Sequence, residues 1–66
     1  MQLIINGEAL EFPAALNCQQ LIEHMQLVGK RVALERNGEI VPRSRYVETR
    51  LANGDKLEIV VAVGGG

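Results

Sequence analysis

The 66-residue chain has one cysteine, two prolines, no tryptophan and a single tyrosine and phenylalanine. The lone Cys18 has no internal disulfide partner, whereas a domain this small in an oxidising compartment is normally stapled by several bridges. That composition points to the cytoplasm. Phe12 and Tyr46 are too few for a base-stacking platform. Seven Lys+Arg against eight Asp+Glu leave a net charge of −1, which excludes the basic footprint of a nucleic-acid binder. The longest apolar run, 59–63, falls far short of the ~20 residues of a membrane helix. The first seven residues have neither a positive leader nor a cleavage pattern, so a signal peptide is not expected. One His and one Cys cannot fill a four-ligand metal site. No Gly-rich stretch precedes a Lys-Ser/Thr pair, so a phosphate loop is missing too.

What remains is a hydrophobic fraction of 47%, enough to exclude disorder by composition. The length allows one domain, which buries roughly 60% of the surface of its unfolded chain. Charge is uneven. Residues 1–29 hold Glu8, Glu11 and Glu23 without a Lys or Arg; residues 30–50 hold six basic residues against three acidic ones. The middle third can therefore present a basic face.

Local signals follow one another closely. Gln2 to Ile5 and Glu8 to Phe12 flank Asn6-Gly7, the strongest short hairpin signal, and Pro13 closes the second strand. Asn17 with Gln20 has capping-box spacing, and Leu16 with Leu21 has that of a hydrophobic staple. Cys18, Leu21, Ile22 and Met25 share one helical face. The spacing predicts a helix from about Cys18 to Leu27, with Gly29 as its stop. A second hairpin, Lys30 to Arg36 and Glu39 to Val41, turns at Asn37-Gly38 and ends at Pro42. Arg43 to Ala52 reads as loop with one short helical turn, anchored by Tyr46, Val47 and Leu51. After the Asn53-Gly54-Asp55 turn, Lys56 to Val63 is the last strand.

One helix must cover one face of a small mixed sheet. Leu57, Ile59, Val61 and Val63 face it. The expected core is Leu3, Ile5, Leu10, Phe12, Leu21, Ile22, Met25, Val32, Leu34, Leu57, Ile59 and Val61. The first and last strands should be parallel neighbours. On the opposite face Val60 and Ala62, joined by Ile4, should form an apolar patch at the root of Gly64-Gly65-Gly66, a candidate docking surface. Arg43, Arg45 and Arg50 are candidates for steering an acidic partner, against the plainer reading of a solvated loop. Cys18 as a sulfur-relay thiol is weighed against a small core hydrophobe, which its alignment with Leu21, Ile22 and Met25 favours. His24 falls on the polar side of the helix, the place of a solvated histidine rather than a general base.

The element order and the Gly-Gly end resemble the ubiquitin-like β-grasp fold, an α+β architecture with a mixed four- to five-stranded sheet and one helix across one face. The blocks Val32-Ala33-Leu34-Glu35-Arg36-Asn37-Gly38-Glu39-Ile40-Val41-Pro42-Arg43-Ser44-Arg45 and Leu51-Ala52-Asn53-Gly54-Asp55-Lys56-Leu57-Glu58-Ile59-Val60 resemble those of the ThiS family. So do the Met1 to Gly7 start and the Val61 to Gly66 end.

That resemblance implies a β-grasp domain over 1–63, a glycine tail over 64–66, and sulfur carried on the Gly66 carboxylate as a thiocarboxylate for thiamine biosynthesis. It implies no cofactor on this chain and ATP used by an E1-like adenylyltransferase of the ThiF class. A thiazole synthase of the ThiG class would be the acceptor, with sulfur from a cysteine desulfurase. The chain would be a co-substrate rather than an enzyme, and monomeric when free. The alternatives are a carrier for molybdopterin or cysteine synthesis, a protein modifier linked through Gly66, and an interaction module with an idle tail.

Overall fold

The computed structural model describes residues 1–13 and 15–62. Its five strands are β1 (Gln2–Ile5), β2 (Glu8–Glu11), β3 (Val32–Arg36), β4 (Glu39–Val41) and β5 (Lys56–Val61), with one helix, α1 (Cys18–His24), and a 3₁₀ turn at Arg43–Arg45. The sheet order is β2-β1-β5-β3-β4. β1 and β5 pair in parallel through Ile4–Lys56 and Ile5–Leu57; every other pairing is antiparallel. This is the expected mixed sheet, with both hairpins in place.

Asn6-Gly7 (φ 51° and 85°) and Asn37-Gly38 (φ 50° and 87°) both adopt the left-handed pair that a two-residue I′ turn requires. Asn17 and Gln20 complete the capping box: the Gln20 N–H donates to Asn17 Oδ1 at 2.7 Å and the Asn17 N–H to Gln20 Oε1 at 2.9 Å. Leu16 and Leu21 are both buried, as a staple demands.

Four boundaries differ from the sequence expectation. The helix stops at His24, not near Leu27. The Gln26 N–H bonds to the Glu23 carbonyl and the Leu27 N–H to the Ile22 carbonyl, both at 3.0 Å. Those are the two bonds of a Schellman ending, with Gln26 (φ 59°) in the left-handed slot usually held by glycine. Gly29 belongs to the following turn. β3 begins at Val32, because the Lys30 N–H is still tied to the Leu27 carbonyl at 3.1 Å. β2 ends at Glu11, although the Phe12 N–H still donates to the Met1 carbonyl at 2.8 Å. β5 also stops short of the expected Val63: it ends at Val61 and Ala62 lies beyond it, while Val63 and the tail Gly64-Gly65-Gly66 lie outside the described residues.

The core joins Leu3, Ile5, Leu16, Cys18, Leu21, Ile22, Leu34, Tyr46, Leu51, Leu57 and Ile59. Leu10, Phe12, Met25 and Val32 are partly buried against it. Val61 is the exception among the expected core residues: it is half-buried and outside the cluster. Val61 is the last residue of β5, beyond Ile59, the last buried position of the strand. The 46–52 loop is clamped to the start of α1. Cys18 donates its N–H to the Thr49 carbonyl at 3.0 Å, and Leu51 donates to the Leu16 carbonyl at 2.8 Å.

Asp55 has a larger role than the turn position its sequence suggests. It is the one buried charged residue among those described. Its carboxylate accepts from Arg36 Nε at 2.8 Å, from the Ala52 N–H at 2.8 Å and from Asn37 Nδ2 at 3.1 Å. Burial would raise its pKa, but the Ala52, Asn37 and Arg36 donors outweigh burial and hold the carboxyl below its ordinary value.

Candidate functional site

The candidate site lies at the C-terminal end of β5. Strand alternation sends Leu57 and Ile59 into the core and leaves Lys56, Glu58 and Val60 exposed on the open face. Val60 is 62% exposed. Ala62 is exposed as well, and its N–H donates to the Arg31 carbonyl at 2.9 Å, fastening the last described residue to the chain just before β3.

Val60, Ala62 and Arg43 meet in one groove, together with Arg31, Val32 and Ala33. It encloses about 290 Å³. Its floor is apolar, and among the described residues its two charged side chains are both arginines and no acidic residue lines it. Ala33 sits there because it is the register partner of Val60 on β3. Arg43 sits there because Pro42 swings the chain out of β4 into the 3₁₀ turn, and Arg43 Nη2 donates back to the Lys30 carbonyl at 3.5 Å.

Two of the expected docking residues, Ile4 of the patch and Arg45 of the basic run, stand apart. Ile4 shares the open face and is half-buried, but its register partner is Lys56, four residues before Val60 on β5. That is roughly 13 Å along a strand, with Lys56 and Glu58 between. Alternation in the sequence gives the face of a side chain and not its register on the neighbouring strand. Arg45 points to Glu48, with which it pairs at 3.7 Å in solvent, and lines a different hollow with Arg36, Ile40 and Thr49. The sequence reading did not single out Arg31, Val32 and Ala33 as site residues. The Lys30-Arg31 pair beside an exposed β3 end was the available signal.

Of the remaining candidates, Arg50 is exposed and forms an isolated bridge with Asn17, away from the groove's lining. Cys18 is fully buried in the core, and burial raises its thiol pKa, so the core reading holds and a surface relay thiol is excluded. His24 is exposed and sets its ring edge-on to Phe12, 5.9 Å between centroids. Among the described residues no three His, Cys, Asp or Glu side chains converge as a metal site, and no helix is long and apolar enough to cross a membrane.

The ThiS family model matches residues 3–66. The chain belongs to the ThiS family. Its fold superposes on the crystal structure of the thiamine biosynthesis protein ThiS from Geobacter metallireducens with a TM-score of 0.84, at 29% identity over the full length of both chains. It is 48% identical over 48 residues to the sulfur carrier protein ThiS of Bacillus subtilis, covering 73% of each chain. It is also 46% identical, over all 66 residues, to part of a thiazole synthase from Paramagnetospirillum magneticum; the chain spans only 20% of that protein. The family match and the similarity to the thiazole synthase both include Gly64, Gly65 and Gly66 in sequence.

Proposed function

We propose that the chain carries sulfur for thiamine biosynthesis as a thiocarboxylate on Gly66, and that it serves partner enzymes as a co-substrate. The observation that carries this reading is the family match, which covers residues 3–66 and so includes Gly66, on a β-grasp body.

A carboxylate is a poor acyl donor, because its leaving group would be oxide. The Gly66 carboxylate oxygen attacks the α-phosphorus of ATP and displaces pyrophosphate, giving an acyl-adenylate. A persulfide sulfur then attacks the carbonyl and displaces AMP. A thiol reduces the resulting acyl disulfide, leaving –COSH on Gly66 and a disulfide on the sulfur donor. None of the described residues supplies an ATP site or a persulfide; the one described cysteine is sealed in the core. The chemistry is therefore assigned to partners: an E1-like adenylyltransferase of the ThiF class, a cysteine desulfurase as sulfur source, and a thiazole synthase as acceptor. A thiazole synthase that contains a region similar to this whole chain supports the last. Its lone buried thiol suits a reducing cytoplasm.

The chain's own contribution is delivery. Glycines without Cβ atoms suit a narrow channel in a partner's active site, and the Val60–Ala62–Arg43 groove offers a docking surface at the root of the tail. Arg45 and Ile4 lie off that groove and are assigned to outer contacts.

The test is intact mass. Incubated with ATP, the adenylating enzyme, a sulfur source and a thiol, the chain should gain one oxygen-to-sulfur exchange located at Gly66. A chain lacking Gly66 reaches roughly 3.5 Å less far, and a 1 Å misplacement can cost about 100-fold in rate, so it should not turn over. Sulfur found elsewhere, or normal thiolation of the shortened chain, would overturn the reading. Adducts on lysines of other proteins would favour the modifier instead.

A further inference from the structure

The groove contains a vacant position in the sheet. Hydrogen-bonded and open pairs alternate along an antiparallel ladder. The phase between β3 and β5 is fixed by the Ala62 N–H on the Arg31 carbonyl at 2.9 Å and the Asn37 N–H on the Lys56 carbonyl at 2.7 Å. Arg31, Ala33, Glu35 and Asn37 thus turn their backbone groups toward β5. Val32, Leu34 and Arg36 turn theirs the other way, toward β4. Leu34 and Arg36 meet Val41 and Glu39 there. The ladder stops at the Leu34–Val41 pair, because Pro42 diverts the chain into the 3₁₀ turn. Val32 therefore aims its N–H and C=O into the space that β4 has left, and the described part of β4 places nothing opposite it.

Two hollows share Val32 and Arg43 in their linings. One is the open-face groove of Val60, Ala62 and Ala33; the other, about 200 Å³, runs under the end of α1 past Ile22, Leu27 and Tyr46. Lys30, Arg31 and Arg43 put three positive side chains around them, and among the described residues no acidic one lines either hollow. An exposed sheet edge recognises an extended segment through main-chain bonds, and side-chain pockets then select its sequence. The charge selects an acidic occupant. Position selects which protein brings it. The four residues from Val63 to Gly66 span at most about 14 Å, so a body that works on Gly66 must rest against the surface around Ala62.

Resting on the carrier reading above, we propose that the adenylating partner docks by strand addition. An extended acidic segment of that enzyme pairs with β3 at Val32, sets a carboxylate between Arg31 and Arg43, and lays an apolar side chain over Ala33 and Val60. The groove thus decides which enzymes reach Gly66.

Amide hydrogen exchange on the chain, free and with excess adenylating enzyme, tests the backbone claim. Exchange at Val32 should slow by about tenfold or more on binding. Affinity tests the charge claim. Arg31→Glu and Arg43→Glu should each weaken binding by about 30-fold or more. Lys56→Glu, the same change of charge on the open face away from the groove, should stay within about threefold. If the enzyme binds and Gly66 is adenylated while Val32 exchanges as in the free chain, strand addition is wrong and the carrier reading stands. Equal affinities for the arginine variants and the wild type would overturn the acidic segment in the same way. If Gly66 is never adenylated, the carrier reading falls and the docking proposal falls with it.

Discussion

The two ends of β5 are built on opposite plans. At its start the strand has neighbours on both sides and is tied by side chains: Asp55 gathers Arg36, Asn37 and the Ala52 N–H, and the Lys56 N–H donates to Asn37 Oδ1 at 3.0 Å. Asn6 extends this order where β1 has turned away, accepting from the Ile59 N–H at 2.8 Å and donating to the Ile59 carbonyl at 3.1 Å. At its end β5 keeps β3 as a paired neighbour, Val61 is only half-buried, and Val60 and Ala62 face water. One six-residue strand thus separates stability from recognition. A change at its start should be felt in folding, and a change at its end in binding.

The largest expected effect is at Leu57, 1% exposed beneath the helix. Leu57→Ala should cost about 2–5 kcal/mol of folding free energy, much of what a domain this small holds. Denaturant titration measures it. A loss below about 1 kcal/mol would mean that the core is not centred on this part of β5. Val60→Asp is the reverse case. The free chain keeps the new charge in water, so its midpoint should move little, while affinity for the adenylating enzyme should drop on the order of 100-fold, because a charge buried unpaired at an interface is strongly unfavourable. Equal losses of stability and affinity would erase the division of the strand.

Asp55 sharpens the comparison through pH. Its carboxyl is held below the ordinary range in the folded chain, so its contribution is present above the unfolded value of about 3.9 and is lost as pH falls through the lower folded value. Asp55→Asn should therefore cost about 1–3 kcal/mol near neutrality, and the gap to the wild type should close in acid. Chemical denaturation at pH 7 and pH 2 measures both. A gap independent of pH would mean that the side chain acts by shape and not by charge.

Much of this fold is written in short-range signals. Asn6-Gly7, Asn37-Gly38, the Asn17–Gln20 box and the alternation of Leu57 with Ile59 each act within a few residues, so they are readable in order. What escaped depends on distant partners. Asp55 looks like an ordinary turn residue until Arg36 and Asn37 arrive from 19 and 18 positions away. Ile4 alternates onto the correct face, yet the parallel register with Lys56, set by the crossover between β1 and β5, decides its neighbours. Arg43 and Arg45 are two residues apart in one basic run, and only the turn after Pro42 sends one into the groove and the other to Glu48.

The helix ending gives the smallest and most selective test. Gln26 holds φ 59° at the position after the cap, where glycine has no Cβ to crowd the following carbonyl. The bonds on either side, Gln26 to Glu23 and Leu27 to Ile22, come from the backbone and survive any side chain there. Gln26→Gly should therefore stabilise the chain, by about 0.5–1 kcal/mol once the extra freedom of glycine in the unfolded state is set against the relieved strain. Gln26 is exposed and lines neither hollow, so affinity for the adenylating enzyme should stay unchanged. A thermal melt read beside a binding titration checks both. A stabilised chain that binds as before would show that rigidity at this end of the molecule can rise without touching recognition. A stabilised chain that binds less well would show instead that the turn from α1 to Lys30 has to give way for the partner to reach Val32.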